Sequence, residues 1–393
     1  MSRASVTISL VIGFLLIMGA VAHAADRPSF DLRWYGYFKL DGSYDQNLTS
    51  HENFVMWVQP RTYDKDDEQF NMTANETRFG FVATGKGYQS VEVGGRVEFD
   101  LYAGVTGTSI EQNKAMLQLR HAYFTIQSGN TRLLAGQTWD LISPLNPSTL
   151  NYPALWGCGN IGYFRPQVSL WHTFEAEGRT AVTVAGGFFR TIGEDLTPTF
   201  SLAAGEFSEG DDDGSDAGIP SFQGLFDVRY HLPTGGLVRL GVSGLWGQLR
   251  AETNLGNSET YESWAAIGHL TVSFSERFGF AGEAFTGSNL GSYLGSILRS
   301  SEVGGLATMG GWASAWFKPT PKVELATGFG FDDPDDNDFA AGRASNMSYF
   351  GNVRYYIVPR ASFGFEISQW ETKYKDAETA KNLRAQTSFI LDF

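Results

Sequence analysis

The sequence predicts an all-β fold: a transmembrane antiparallel β-barrel of about sixteen strands, built as one domain. Three observations lead there. Between Leu383 and Phe393, Leu383, Ala385, Thr387, Phe389, Leu391 and Phe393 share one parity, while Arg384, Gln386, Ser388 and Asp392 take the other and only Ile390 breaks the pattern. Between Val91 and Tyr102, Val91, Val93, Val97, Phe99 and Leu101 alternate with Glu92, Arg96, Glu98, Asp100 and Tyr102. A strand turns successive side chains to opposite faces, so each segment shows one apolar face and one face that needs water. The third observation is a rhythm along the whole chain, in which alternating segments are joined in turn by short polar turns and by long irregular loops.

Taken in order, the chain begins with a secretory leader. Arg3 supplies a positive start, Leu10 to Ile17 an apolar stretch, and Ala22-His23-Ala24 before Ala25 a small-x-small cleavage site, so residues 1–24 read as a signal peptide and 25–393 as the barrel. The apolar stretch is short for a helical span of about 20 residues. No second apolar run of that length follows, which excludes α-helical insertion.

From Phe30 onward, Arg33 to Tyr44, Phe70 to Thr84, Phe222 to His231, Met347 to Ile357 and Ser362 to Trp370 repeat the alternation. Tight connections carry Gly or Pro at Ser128-Gly129-Asn130, Glu175 to Gly178, Leu232 to Gly236, Lys318 to Lys322 and Val358 to Arg360. Long ones are expected near 45–69, 106–114, 140–161, 193–219, 252–260, 287–305, 332–345 and 375–382. A soluble propeller or β-helix is the competing architecture. It lacks the required fixed-period repeat, and a propeller would bury the ionisable face of residues 91–102.

A net charge of −14 argues against nucleic acid, whose phosphates need a basic footprint. The acids collect in loop-like stretches, Asp64 to Glu68, Glu206 to Asp216 and Asp332 to Asp338. Cys158 stands alone and cannot form an intrachain disulfide, and no Cys/His cluster has zinc spacing. No cofactor is expected. Gly157-Cys158-Gly159-Asn160-Ile161-Gly162 matches the dinucleotide fingerprint in letters, but a Pro-rich loop precedes it and Arg165-Pro166 follows, where a strand and a helix are required. Asp333, Asp335 and Asn337 begin an EF-hand spacing that Asp338 and Ala344 then break. No GxSxG, HExxH or P-loop occurs, so no catalytic residue is assigned. His121 and His172 are the only notable candidates for a hydrolase dyad, and structural roles suit them better. Trp34, Tyr35, Trp57, Tyr88, Trp246, Trp264, Tyr349 and Tyr355 fall near strand ends, as interfacial girdles require.

Thr138 to Ile161 is the expected constriction. Pro144, Pro147 and Pro153 stiffen it, and Leu141, Ile142, Leu145, Leu150, Tyr152, Leu155 and Trp156 make it too apolar to stand in water. Together, LQLRHAYFTI (117–126), LLAGQTWDLISPLNPS (133–148), FRPQVSL (164–170) and the terminal Phe393 resemble the DcaP-like branch of the Gram-negative porin superfamily. That resemblance implies a sixteen-stranded barrel, an inward-folded third long loop, a homotrimer, and diffusion of small, often anionic, organic solutes. It also implies outer-membrane lipid and lipopolysaccharide as surroundings. The terminal Phe resembles the signal read by the barrel-assembly machinery.

The residues give their own account of selectivity. Arg33, Lys39, Arg78, Arg96, Arg229 and Arg384 fall on the predicted lumen parity, with Arg165 just past the constriction loop and Glu98, Asp100 and Asp140 facing the same water. Opposed charges across a narrow pore orient a solute in a field focused by low-dielectric walls. Two readings follow: the basic side prevails and the pore prefers anions, or the Arg residues pair with neighbouring carboxylates and hold the wall. The function expected is passive diffusion of small hydrophilic solutes; a substrate-specific channel and a structural or adhesive barrel closed by its loops are the alternatives.

Overall fold

The computed structural model describes residues 30–60, 67–88, 90–103, 115–176, 178–192, 199–201, 206–208, 217–252, 258–299 and 305–393. The expected leader, residues 1–24, lies outside the described residues, as do positions 64–66 and 209–216 of the acidic stretches. Among the described residues no helix is long and apolar enough to cross a membrane.

The chain winds into a closed 16-strand antiparallel barrel. Its strands are β1 (Asp31–Asp45), β2 (Gln69–Thr73, resuming as Arg78–Lys86), β3 (Val91–Ala103), β4 (Met116–Ser128), β5 (Thr131–Trp139), β6 (Phe164–Ala176), β7 (Thr180–Phe189) and β8 (Ser221–His231). The second half comprises β9 (Leu237–Glu252), β10 (Ser258–Ser275), β11 (Phe278–Ser288), β12 (Ala307–Thr320), β13 (Val323–Pro334), β14 (Arg343–Val358), β15 (Ala361–Tyr374) and β16 (Ala380–Asp392). Each strand pairs with the next, and β1 pairs with β16 from Tyr37↔Asp392 to Asp45↔Arg384, so no edge is left to recruit another chain.

Alternation carries this geometry. On β16 the even positions Asn382, Arg384, Gln386 and Ser388 are buried inside, while Leu383, Phe389 and Leu391 are exposed outside. Phe38, Leu40, Leu240, Val242, Phe365 and Ile367 are exposed on the same outer surface, which is favourable against lipid. At the seam, Phe393 donates its N–H to Gly36 O at 3.0 Å and packs its ring, tilted by 36°, 5.2 Å from that of Phe38. Gly36 permits this approach, because a Cβ there would lie 2.2 Å from Arg78 O and 2.7 Å from the Phe393 ring.

Connections after even-numbered strands gather at the end holding both termini of the barrel, and those after odd-numbered strands gather at the other end. Two further short connections, between Lys86 and Val91 and between Ser275 and Phe278, add to the five marked by Gly and Pro. Within the loops expected at 252–260 and 375–382 the flanking strands reach Glu252 and Ser258, and Tyr374 and Ala380, further than their side-chain alternation suggests.

Two strands depart from regularity. The segment expected as one strand over Phe70 to Thr84 breaks at a turn in which Thr77 N–H donates to Ala74 O at 2.9 Å, while Asn75 O accepts from Leu101 N–H at 3.0 Å. In β4 the register with β3 slips between Glu98↔His121 and Phe99↔Leu119. The slip is a bulge. It turns two successive residues, Arg120 and His121, into the interior, where they are 4% and 3% exposed.

The apolar core therefore lies inside the barrel, most of it against β9 to β16, with a smaller cluster of Leu141 with Ala185, Phe189 and Leu225 of β7 and β8. Val55 and Val58 from a small hairpin (Thr49–His51 with Phe54–Val58) pack with Leu155, Cys158, Trp312, Phe350 and Trp370. Ile142 and Ile161 pack with Leu245, Ile267, Phe285, Leu290 and Tyr293.

Candidate functional site

Residues 140–163 join β5 to β6 and run inside the barrel. Most of the loop is shielded from solvent, and its buried backbone groups need partners; wall side chains supply many of them. At the root, Asp140 accepts from Gln223 Nε2 at 2.7 Å, Tyr163 N–H at 3.0 Å and Arg165 Nε at 2.8 Å, while the Arg165 guanidinium lies 3.9 Å from the centre of the Tyr293 ring.

From the root the loop follows the wall. Gln223 Oε1 accepts Leu141 N–H at 2.8 Å, and Ser243 Oγ donates to Ile142 O at 2.6 Å. Glu283 accepts from Ser143 Oγ and, at 3.0 Å, from Leu145 N–H. Asn352 donates to Ser148 O at 2.8 Å, and Glu366 accepts Leu150 N–H at 2.7 Å and Thr149 Oγ1 at 2.8 Å. Leu150 O then accepts from Gln386 Nε2 at 3.0 Å and Lys39 Nζ at 3.1 Å. The loop thus spans the inner wall from β8 to β1.

The return leg is held by neighbouring loops and by close backbone packing. Asn151 pairs with the backbone of Val55 in the hairpin (2.8 and 3.2 Å), Tyr152 OH donates to Asp100 at 3.0 Å, and Gly157 and Gly162 donate to Leu294 O and Tyr293 O at 2.9 and 2.7 Å. Gly159, at φ +102°, passes so close to β12 that a Cβ would lie 2.1 Å from Gly311 O. The GxGxxG letters serve this loop's packing. Cys158 is fully buried there, and burial pushes its thiol well above the usual value.

Exposed charge remains on the inner face of β2, β3 and β8, at Arg78, Arg96 and Arg229. Between Leu141 and Tyr163, Asn146 is the exposed residue, and that stretch carries no charged side chain. All fixed charge near the inward loop's free face therefore belongs to the wall. Glu98 accepts from Tyr35 OH at 2.7 Å and from Arg120 Nε at 2.9 Å, and it pairs with Arg96 and, at 3.6 Å, with Arg78. Asp227 pairs with Arg229 at 3.1 Å, with Arg239, and with His269 Nε2 at 2.9 Å.

Exposure is uneven within these clusters. Glu98 and Asp227 are 2% and 1% exposed at the side chain, whereas Arg78, Arg96 and Arg229 are 22%, 33% and 47% exposed. Carboxylates sit behind, and guanidiniums face the water. Beyond them, the end holding the tight turns opens into a vestibule of about 850 Å³ lined by Asp31, Thr84, Lys86, Glu92 and Gln127.

The residues named from parity divide into two groups. Arg33, Arg78, Arg96 and Arg229 face inward with accessible side chains. Lys39, Glu98, Asp100, Asp140, Arg165 and Arg384 also point inward but are at most 5% exposed, each tied to a partner. Lys39 pairs with Glu76 and Asp41, Arg384 with Asp45 at 2.6 Å, and Asp100 with Arg120 at 2.7 Å. The expectation that Glu98, Asp100 and Asp140 face water and that Arg165 reaches the pore gives way to burial, because parity fixes a side chain's face and says nothing of what covers it. His121 accepts or donates at Thr138 Oγ1 (2.9 Å) beside Glu98, and His172 does so at Thr131 on the other face.

Parity alone would have found Asp227, which shares a face with Arg229, and Arg239. It could not find Arg120, moved inward by the bulge, or Glu76, placed by the break in β2. Glu283 and Glu366 were legible as inward acids but not as anchors of the loop.

No family model and no curated protein matches the chain. Among solved structures, the outer membrane channel DcaP of Acinetobacter baumannii superposes with a TM-score of 0.70 at 18% identity, over 95% of this chain and 100% of that one. The chain has the porin fold. An anion-selective porin from Comamonas acidovorans superposes at 0.57 with 10% identity (93% and 100% covered), and OprB of Pseudomonas putida at 0.51 with 11% identity (93% and 94% covered). In this porin-fold chain the tight turns mark the end that faces the periplasm in such barrels, and the longer loops the outer end.

Proposed function

We propose that the protein is an outer-membrane channel for passive diffusion of small hydrophilic solutes, with a preference for anions. The observation that carries this reading is the layering of charge: a loop without charge faces walls on which Arg78, Arg96 and Arg229 reach the water and their carboxylates lie behind them. An approaching anion meets the guanidiniums first, and the low-dielectric wall focuses their field. Pairing lowers the net charge, so the preference is weak. The two readings of these Arg residues are thus compatible, since they hold the wall and also supply its exposed surface.

The porin fold supports a location in the Gram-negative outer membrane, among lipid and lipopolysaccharide, with the leader removed at residue 24 and insertion by the barrel-assembly machinery. A homotrimer is part of this proposal. Single-channel current in planar bilayers under a KCl gradient tests it. A reversal potential on the chloride side and conductance in three equal steps are expected; insertion without current rejects the channel, and a potassium-side potential rejects the basic wall.

A further inference from the structure

Beneath the inward loop, beside Arg78, whose guanidinium lies 5.2 Å from the Tyr37 ring centre, a recess of about 330 Å³ is roofed by Thr149–Tyr152 and Ala154. Its sides include Tyr37 and Lys39 of β1, Glu76, Arg354 of β14 and Asp392 at the end of β16. The positions of Arg354 and Asp392 near the tight-turn end of their strands open it toward the periplasmic side. It is a blind pocket, since above it the loop is bonded to Glu366, Gln386 and Lys39.

Two features of this recess are unexplained by packing. First, the break in β2 places Glu76 inside the barrel, where it takes Lys39 and, at 3.3 Å, Tyr37 OH as partners. A regular strand needs no such interruption. Second, the buried Nε of Arg354 has no hydrogen-bond partner. Its cross-strand neighbour Glu324 is engaged by Lys318 at 3.3 Å instead. The residue as a whole is half-buried and lines the recess, so the outer part of its guanidinium is available to a ligand there.

We propose that this recess binds a small zwitterionic solute, its carboxylate on the Arg354 guanidinium and its ammonium toward Glu76. Arg354 supplies a planar fork that suits a carboxylate. The lining carries two cations (Lys39, Arg354) and two anions (Glu76, Asp392), so a molecule with separated charges of both signs matches it. A dianion is repelled by Glu76 and Asp392, and a diamine by Arg354 and Lys39. The volume lies at the low end of small-molecule sites and suits an amino-acid-sized solute. Leu150, Ala154 and Ile390 in the lining supply apolar surface for the rest of the solute. This site deepens the channel reading and rests on it only for how the solute arrives.

The test is titration calorimetry of the detergent-solubilised full chain with L-glutamine, with succinate and putrescine as charge controls, beside KCl current in bilayers. Saturable heat with glutamine alone is expected, at least tenfold weaker in Arg354→Gln and partly restored in Arg354→Lys. Absence of saturable glutamine binding, tighter binding of succinate, or unchanged affinity in a folded Arg354→Gln variant overturns the site. Because the KCl current is read without solute, a conducting protein that fails to bind glutamine rejects the recess alone. A non-conducting protein that binds it rejects the channel alone.

Discussion

Arg120 Nη1 donates to Asp100 Oδ2 at 2.7 Å while Arg120 Nε donates to Glu98 at 2.9 Å, so a single guanidinium ties two successive lumen carboxylates of β3 together. The contact exists because the β4 bulge turns Arg120 inward beside His121. Both carboxylates are thereby held at the wall, and Arg78 and Arg96 remain at the water.

Glu98→Gln removes the negative charge at the centre of this cluster while keeping its shape. Arg78, Arg96 and Arg120 lose their shared counter-charge, and the reversal potential in a KCl gradient should move further toward chloride. Arg96→Glu should move it toward potassium. An unchanged potential in both variants would remove the wall from any role in selectivity.

Glu366→Ala leaves Leu150 N–H and Thr149 Oγ1 without their acceptor. Each buried group left open costs about 1–3 kcal/mol, enough to loosen the loop's middle without unfolding the barrel. Larger single-channel conductance is expected, with faster liposome swelling for larger sugars; conductance equal to wild type would show that other anchors suffice.

Cys158 reports the same event chemically. Its thiol is fully buried and its ionisation is suppressed by burial, so the native protein should resist maleimide labelling in the absence of denaturant. In Glu366→Ala, labelling should accelerate at least tenfold if the loop lifts. Rapid labelling of the wild-type protein would contradict the seated loop.

Gly159→Val places a side chain where a Cβ already meets Gly311 O at 2.1 Å, at a φ of +102°. Overpacking of this kind costs about 1–3 kcal/mol, with backbone strain in addition. The heat-modified gel shift of the folded barrel should occur at a lower temperature.

Phe393→Ala deletes the ring that packs on Phe38 over the β1–β16 seam. Lower yield of folded protein in outer membranes is expected, with unaltered conductance from the fraction that assembles. Normal yield would confine the ring to a packing role.

The barrel was legible in the sequence because alternation is imposed by the environment on each face of every strand. Leu383 to Phe393 alternates in the sequence as it does in burial, and Arg96 and Arg229 follow from the same parity. Arg120 and Glu76 were not legible, since a bulge and a strand break reset parity locally and no Gly or Pro at Arg120 announces the bulge. Nor was the sealing of Lys39, Arg165 and Arg384, which depends on where Leu150, Tyr293 and Asn53 O come to rest.

Most of the apolar packing of the inward loop, the hairpin at 49–58 and Leu290 to Leu298 falls on β9 to β16, and so the two halves of the circumference are under different constraints. A substitution at Trp312, Phe350 or Trp370 disturbs a core shared by several segments, whereas one at Arg78, Arg96 or Arg229 alters a surface. Permeability can therefore drift without loss of assembly. Variants screened for new solutes should accumulate on the inner face of β2 to β9, where a change of charge leaves the folded wall intact.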